Sequence, residues 1–249
     1  MENSREYPTP KVAMSIHAHP DDQEFTAAGT LAKWVKNGCY IISVIITSGD
    51  SGSNDPSKGG SFKGELAHLR EAEQLAANAV LGIQETVFLH YPDGILQPSL
   101  QLRRDLTRLI RRHKPEVVVC GDPTVRFFGN EYMNHPDHRV AADMACDAVF
   151  PSANTRLIFP ELLTEGLEPH QVKRLYLSSP GNPDTWVDIS ETIGLKIEAL
   201  RKHASQMGDW DPADEMRKWA EESGKAHGLA YAEAFHVMIL AEEKEDEHK

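Results

Sequence analysis

The sequence predicts an α/β fold of the Rossmann-like type, with three layers built around a mostly parallel sheet. Strand-like and helix-like segments alternate through the first 150 residues, which is the pattern of βαβ units. The segment Tyr40–Ser48 is a run of β-branched and apolar residues, as expected of a strand buried on both faces. Parallel strands need crossover connections, so these units predict a layered sheet with right-handed crossovers.

Local patterns predict each element in turn. Strands are expected in the first half at Lys11–His19, Tyr40–Ser48, Thr86–Tyr91 and Glu116–Gly121. Helices are expected between and after them at Asp22–Gly38, Phe62–Ala79, Pro98–His113 and His135–Phe150. The first helix begins with an acidic turn and ends at a glycine, and both features suit helix termini. The Gly- and Ser-rich segment after Ser48 is expected to be a loop.

The last third of the chain is less regular and predicts a smaller α/β portion. Gln171–Ser179 and Asp184–Ser190 resemble strands, Glu191–Ala204 resembles a helix, and Tyr231–Leu240 resembles a final strand or short helix. The sequence shows no Pro- or Gly-rich linker that would divide it. We therefore expect residues 1–249 to form a single domain. Its Rossmann-like core would cover about residues 11–150, and a C-terminal portion, about 151–249, would complete the pocket.

Charge and cysteine usage exclude several classes of protein. The formal net charge of −12 argues against nucleic acid or an anionic membrane as the main partner. Five arginines on the predicted helix Pro98–His113 are the local exception and are interpreted as a solvated helix face: Arg103, Arg104, Arg108, Arg111 and Arg112. The three cysteines are widely spaced and form no disulfide framework: Cys39, Cys120 and Cys146. With a polar N-terminus and no long apolar run, these features predict a cytoplasmic protein.

Two tetrads, "HPDD" at residues 19–22 and "HPDH" at residues 135–138, concentrate titratable groups. Both follow predicted strands, so they are expected at the carboxyl edge of the sheet, where α/β proteins bind ligands. Two imidazoles and a carboxylate that face one another suit catalytic zinc, which takes three protein ligands and leaves one position for water. Adjacent Asp21 and Asp22 cannot easily point the same way, so one can bind metal while the other acts as a base. His135 and His138 are three residues apart and share a helix face.

Other interpretations of these residues remain open at this point. Each tetrad alone also fits a helix N-terminus with an acidic cap. Paired aspartates would suit a Mg²⁺-dependent phosphoesterase, although two histidines favour zinc or another transition metal. A sugar- or metal-binding domain without catalytic activity is a further alternative. His17 shares a strand face with His19 one pleat deeper, and we interpret it as a buried polar support.

The segments "AHPDDQEFTAAGTLAKW" and "NHPDHRVAADMACDAVF" together resemble the LmbE-like / PIG-L family of zinc-dependent de-N-acetylases. Three further segments extend the resemblance over most of the chain: "LREAEQLAANAVLGIQETVFLHYPDG", "VDISETIGLKIEALRKHASQ" and "YAEAF". One departure is Ala28-Gly29, which stands where the family usually has Gly-Gly.

The resemblance implies roles for the residues of the two tetrads. His19, Asp22 and His138 match the zinc ligands, which would hold one Zn²⁺ per chain or another divalent transition metal. Asp21 matches the general base that activates water. His135 matches the residue that stabilises the oxyanion or protonates the leaving amine.

The resemblance and the neighbouring loops also suggest contacts around this set. Asp137 matches a carboxylate that orients a histidine, and Glu24 is expected to support the helix start or the ligands from behind. Some family members have a tyrosine two residues before the second tetrad, where this chain has Met133. Four residues are expected to contact the sugar substrate: Arg70, Asp93, Arg126 and Tyr132.

The activity implied by the resemblance is hydrolytic removal of an N-acetyl group from an N-acetylglucosamine-type sugar or glycoside. An amidase of a thiol–sugar conjugate would use the same site and is the alternative within the family. The expected partner is a small N-acetylated sugar, with no nucleic acid and no membrane. The family also implies a homo-oligomer, either a trimer or a hexamer.

Overall fold

The computed structural model describes residues 7–241. Its strands are β1 Val12–His17, β2 Tyr40–Thr47, β3 Glu85–Tyr91, β4 Val117–Gly121, β5 Phe127–Phe128, β6 Tyr132–Met133, β7 Arg174–Ser178, β8 Thr185–Asp188 and β9 Ala232–Ile239. Its helices are α1 Asp22–Thr26, α2 Ala28–Lys36, α3 Phe62–Leu81, α4 Leu100–His113, α5 Pro136–Asp147, α6 Glu161–Thr164, α7 Ile193–Leu200, α8 Ala204–Met207 and α9 Ala213–Lys225. A π-helical segment, Ala148–Ala153, follows α5.

The central sheet has seven strands in the order β3-β2-β1-β4-β7-β9-β8. The first five strands of that order are parallel, and β9 runs antiparallel to both β7 and β8. The predicted α/β fold with a mostly parallel sheet is therefore confirmed. From β1 the chain builds outward to β2 and β3, and then returns to place β4 on the other side of β1. This reversal creates a topological switch point between β1 and β4, where sheets of this kind form a ligand crevice.

Strand β1 illustrates how the sequence produces three layers. Met14 and Ile16 pack into a buried cluster with residues of α4 and α5. Ala13, which points to the opposite face, packs with residues of α2 and α3. Because strand side chains alternate between faces, a strand covered on both sides needs apolar residues at consecutive positions. The continuous apolar runs in the sequence are the consequence of that double coverage.

The predicted helix Asp22–Gly38 is two helices, and a distant carboxylate marks the break. Ala27 has φ −140° and separates α1 from α2. The Glu233 carboxylate of β9 accepts hydrogen bonds from the N–H groups of Gly29 and Thr30, at 3.0 and 2.8 Å. A negative charge at a helix N-terminus satisfies unpaired N–H groups and the helix dipole. The "YAEAF" segment therefore closes the C-terminal part of the sheet onto the first helix pair.

The C-terminal portion belongs to the same sheet as the core. The segment predicted as a strand or short helix is strand β9, which joins β7 and β8. Helix α9 was absent from the sequence prediction, although its acidic first turn, with Asp214 and Glu215, and its closing Lys225 are helix signals. The hairpin of β5 and β6 was also missed, because two-residue strands leave no periodic pattern.

The interpretation of the basic cluster on α4 as a solvated face is wrong for one member. Arg111 is fully buried. Its Nη2 shares two N–H groups among the carbonyl oxygens of Ser152, Thr155 and Ile158, at 2.8, 2.8 and 3.0 Å. Its Nε donates to the Ala153 carbonyl at 3.2 Å, so one guanidinium serves several carbonyls of an irregular segment. Arg111 thereby ties the chain after α5 to α4.

Within residues 7–241, no helix is both long enough and apolar enough to cross a membrane.

We predict that Gly29→Ala destabilises the fold by about 1–3 kcal/mol, because an added methyl group overpacks a fixed site. A Cβ at Gly29 would lie 2.8 Å from Ile189 Cδ1. Chemical denaturation of wild type and variant measures the difference. Gly194→Ala in α7 is the matched control, since among the described residues nothing other than its own helix backbone and its chain neighbours lies within 4 Å of the added Cβ. Equal stability of the two variants would contradict the packing argument.

Candidate active site

The two histidine tetrads meet at the switch point of the sheet. The first lies between β1 and α1, and the second begins α5. The ring centroid of His19 lies 5.0 Å from that of His135 and 5.0 Å from that of His138. The structure therefore brings together residues that are 119 positions apart in the sequence.

Three side chains place donor atoms in a close triangle. His19 Nδ1 lies 3.1 Å from His138 Nε2 and 3.4 Å from Asp22 Oδ2. The other oxygen of Asp22, Oδ1, lies 3.0 Å from His138 Nε2. Ligand atoms of tetrahedral zinc lie about 2.0–2.1 Å from the metal and hence about 3.3 Å from one another. The triangle has this size, and its two imidazoles and one carboxylate suit a transition metal.

Two carboxylates hold the other ring nitrogen of His19. His19 Nε2 lies 3.0 Å from Asp93 Oδ1 and 3.3 Å from Asp137 Oδ2. Asp137 is fixed by two backbone N–H groups of the loop after β3, and Asp93 accepts from the N–H of Ser51 at 2.6 Å. In the neutral ring, with Nε2 donating to these carboxylates, the Nδ1 lone pair faces the triangle. Asp137 thus contacts a histidine as expected, whereas Asp93, expected at substrate hydroxyls, also contacts His19.

The electrostatics of this cluster favour a positive charge at its centre. Burial lowers the pKa of His19, but Asp22, Asp137 and Asp93 outweigh it and raise that pKa to about 12. Burial raises the pKa of Asp22, yet the imidazoles of His138 and His19 hold it well below its ordinary value. Carboxylates in excess of cationic side chains around buried imidazoles are the environment of a cation site.

Asp21 diverges from Asp22 because its backbone is left-handed. Its φ is 94°, a conformation that non-glycine residues seldom adopt. From α3, Gln74 Oε1 accepts from the N–H of Asp21 at 3.0 Å. Arg70 donates to the Pro20 carbonyl at 2.8 Å and to Asp21 Oδ2 at 3.1 Å. The carboxylate of Asp21 therefore faces Arg70, while that of Asp22 faces the imidazoles.

The surroundings of Asp21 suit it to exchange a proton near neutral pH. Burial and the Asp22 carboxylate raise the pKa of Asp21 to about 7, against the opposing effect of Arg70. A carboxyl group with such a pKa can act as a general base. Arg70 reaches it because Gly49 has no side chain: a Cβ there would lie 2.3 Å from Arg70 Nη1.

His135 is held by the start of α5. Its Nδ1 accepts a hydrogen bond from the N–H of Asp137 at 3.2 Å, so it caps the helix. In the neutral ring this contact places the proton on Nε2. Burial and the neighbouring rings of His19 and His138 lower the pKa of His135. The neutral imidazole is thereby favoured, with an N–H donor available to a bound molecule.

Glu24 and His203 lie behind the site and are fully buried. Glu24 Oε1 accepts from the side-chain amides of Gln23 and Gln74, at 2.7 and 3.0 Å, and His203 Nε2 lies 3.3 Å from Glu24 Oε2. Glu24 therefore supports Gln74, which in turn holds Asp21. His17, 5% exposed, lies beneath the site, and burial lowers its pKa to about 4.

A cavity of about 590 Å³ opens over these groups. Phe128 and Tyr132 of the β5–β6 hairpin line one part of it, and Phe25 and Trp219 line another. Arg70 and Asp93 also line the cavity, as do Ser51 and Gly52 of the loop that follows β2. Arg126 is exposed and is not among the lining residues. Sequence inspection missed Phe25, Trp219 and Gln74, because none of them lies in a motif that indicates chemistry.

Comparison with known proteins identifies the family. The model of the PIG-L family, described as GlcNAc-PI de-N-acetylase, matches residues 14–149. The chain belongs to the PIG-L family. It is 29% identical to the diacetylchitobiose deacetylase of Thermococcus kodakarensis, over 92% of this chain and 83% of that protein. It is 30% identical to the mycothiol S-conjugate amidase of Streptomyces coelicolor, over 87% of this chain and 73% of that protein.

A solved structure agrees with this assignment. The N,N'-diacetylchitobiose deacetylase of Pyrococcus horikoshii superposes with a TM-score of 0.83 at 30% identity, covering 92% of this chain and 84% of that one. The PIG-L member described here is accordingly an enzyme of the hydrolase class whose relatives act on N-acetyl amide bonds.

We predict that the purified protein binds about one divalent transition metal ion per chain, as expected for three ligands around one open position. His138→Ala should weaken metal affinity by more than about 100-fold. Loss of a group that only hydrogen-bonds a ligand typically costs up to about 100-fold, and loss of the ligand itself should cost more. Titration against a metal-chelating dye measures the affinity. His113→Ala is the control, since His113 pairs with Glu85 at the end of α4. Equal metal affinity of the two variants would contradict the assignment.

Proposed function

We propose that this enzyme removes the N-acetyl group from an N-acetylglucosamine-type sugar or glycoside, with zinc as its metal. The observation that carries the proposal is the division of labour between two adjacent aspartates. Asp22 completes a triangle of metal-sized dimensions with two imidazoles, while Asp21 faces Arg70 and the cavity. A metal-assisted amide hydrolase needs a metal ligand and a general base close to each other.

His19 Nδ1, His138 Nε2 and the carboxylate of Asp22 would hold the metal. A divalent metal bound there would supply Lewis acidity, which polarises an amide carbonyl and lowers the pKa of water. Two imidazoles with one carboxylate favour zinc over Mg²⁺, which prefers oxygen ligands. This argues against the phosphoesterase alternative. Asp93 and Asp137 hold His19 Nε2, so Nδ1 would be the atom that binds the metal.

Asp21 serves as the general base in this proposal. Its carboxylate takes a proton from the attacking water, whose oxygen bonds to the amide carbon. Arg70 and Gln74 hold Asp21 in its left-handed conformation and keep its carboxylate at the cavity. Protonated Asp21 then returns the proton to the amine nitrogen as the C–N bond breaks. The products are acetate and a sugar amine.

His135 serves as the donor to the developing oxyanion. Its Nδ1 is occupied by the helix cap, so the ring proton on Nε2 is available to the substrate oxygen. Such a donor acts mainly on the transition state, because the charge on that oxygen grows during attack.

The cavity supports a sugar substrate. It has the volume of a small-molecule site and presents aromatic rings together with polar groups. The named deacetylase relatives act on N-acetylated sugars, which supports the same class here. In this proposal Tyr132, Arg70 and Asp93 contact the sugar, and Arg126 contacts only a substrate that extends beyond the cavity. A cytoplasmic location and a trimeric or hexameric assembly stay predictions.

Amide cleavage of a thiol–sugar conjugate is the second candidate, favoured by the 30% identity to the mycothiol S-conjugate amidase. Both reactions would use the same metal, base and donor. The relative rates of acetate release and of larger carboxylate release, measured on matched substrates, distinguish them.

We predict that the wild type releases amine and acetate from N-acetylated glucosamine sugars, and that Asp21→Asn lowers kcat by about 10²–10⁴-fold while metal content is unchanged. The asparagine preserves size and can adopt the left-handed conformation, but it cannot take a proton. Amine release and metal content are measured on the same samples. Asp50→Asn, at the loop carboxylate that pairs with Lys63, is the control and should keep full activity.

Two results would contradict this proposal. Full kcat in metal-loaded Asp21→Asn would remove Asp21 as the base. Absence of acetate release by the metal-loaded wild type from every N-acetylated glucosamine sugar tried would remove the substrate class.

A further inference from the structure

A second cavity adjoins the one above the metal ligands. It measures about 220 Å³ and lies between α9, the loop after β7 and the start of β9. The two cavities share four lining residues: Phe25, Thr26, Ser179 and Trp219. Because the two cavities share these walls, they adjoin each other; we call the one that holds the metal triangle the larger compartment and the other the side compartment.

Trp219 stands on the boundary between the compartments. It projects from α9, whose neighbouring residues Met216 and Ala220 are buried against the protein. Trp219 itself is 48% exposed, so one part of the indole lines the cleft without being covered. Phe25, the other aromatic wall, stacks on Trp210 with ring planes 16° apart. The boundary is therefore formed by two aromatic side chains, Trp219 from α9 and Phe25 from α1.

The floor of the side compartment is polar but electrically balanced. Lys196 Nζ lies 2.6 Å from Glu233 Oε1 and donates to the Phe25 carbonyl at 2.8 Å. Lys196 is 4% exposed, and within residues 7–241 these two acceptors leave one of its three ammonium protons for another group. Ser223 and Thr26 add hydroxyls to the walls. A charge-balanced ion pair and hydroxyls beside an aromatic face suit a neutral ring that carries hydroxyls, whereas a long acyl chain would leave these polar groups unpaired.

We propose that the side compartment binds a second neutral, hydroxylated ring of the substrate, and that Trp219 determines the preference for two-ring over one-ring substrates. This inference rests on the proposed function for the reaction itself. A one-ring N-acetylated sugar fills only the larger compartment. A two-ring substrate gains contacts with Trp219 and the lysine-containing floor, and such remote contacts can raise kcat/KM without touching the reacting amide.

The test compares N-acetylglucosamine with N,N'-diacetylchitobiose in the metal-loaded, full-length enzyme. Trp219→Ala should lower kcat/KM for the two-ring sugar about tenfold and leave the one-ring sugar within about twofold. Ser223→Phe, which fills the side compartment, should produce the same selective loss. Trp186→Ala is the control, since Trp186 stacks on His227 and lies outside both sets of lining residues.

Equal effects on the two sugars, or no effect on either, would overturn the proposal. Calorimetric titration with N-acetylglucosamine and N,N'-diacetylchitobiose, both neutral, in a metal-loaded Asp21→Asn background tests the side compartment independently of catalysis. Selective loss of N,N'-diacetylchitobiose binding when Trp219→Ala is added supports the side-compartment proposal even if the wild type hydrolyses neither sugar, a result that would refute the proposed function instead. Unchanged N,N'-diacetylchitobiose affinity with both Trp219→Ala and Ser223→Phe overturns the side-compartment proposal.

Discussion

The left-handed backbone conformation of Asp21 is the constraint on which the candidate site depends. The side chains of adjacent residues diverge in any backbone, but the φ of Asp21 decides which way each carboxylate points. A φ of 94° turns the first carboxylate toward Arg70 and leaves the second for the imidazoles. Such a conformation costs on the order of 1–3 kcal/mol and persists only where surrounding contacts enforce it. Here Gln74 holds the N–H of Asp21 and Arg70 holds its carboxylate.

These enforcing contacts extend through a buried polar network. Gln74 is itself held by Glu24, and both are fully buried. Burying a polar group costs stability unless it is hydrogen-bonded, so the bonds that Gln23 and Gln74 donate to Glu24 Oε1 favour one geometry. At the other end of the chain, Glu233 sets the break between α1 and α2, and its partner Lys196 binds the carbonyl of Phe25. The turn at the candidate site is thus supported from α3 on one side and from β9 on the other.

The sequence predicted the fold and the convergence of the tetrads, because both follow from short-range patterns. Apolar runs such as Tyr40–Ser48 predict doubly covered strands, and the position of each tetrad after a strand predicts the carboxyl edge of the sheet. The strand order that creates the switch point was seen only in the structure. The contact of Asp93 with His19, the burial of Arg111 and the position of Trp219 depend on how distant loops pack, and no local pattern indicates them. The same limit applies to Gln74, which in sequence is an ordinary helical glutamine.

The most direct test of the central claim is kcat of metal-loaded Gln74→Met, a substitution of similar volume that removes the acceptor for the N–H of Asp21. Our account predicts about one metal per chain, a KM near that of wild type and a kcat at least about tenfold lower, because small displacements of a catalytic group are costly. A folded, metal-loaded Gln74→Met enzyme with the wild-type kcat would contradict it.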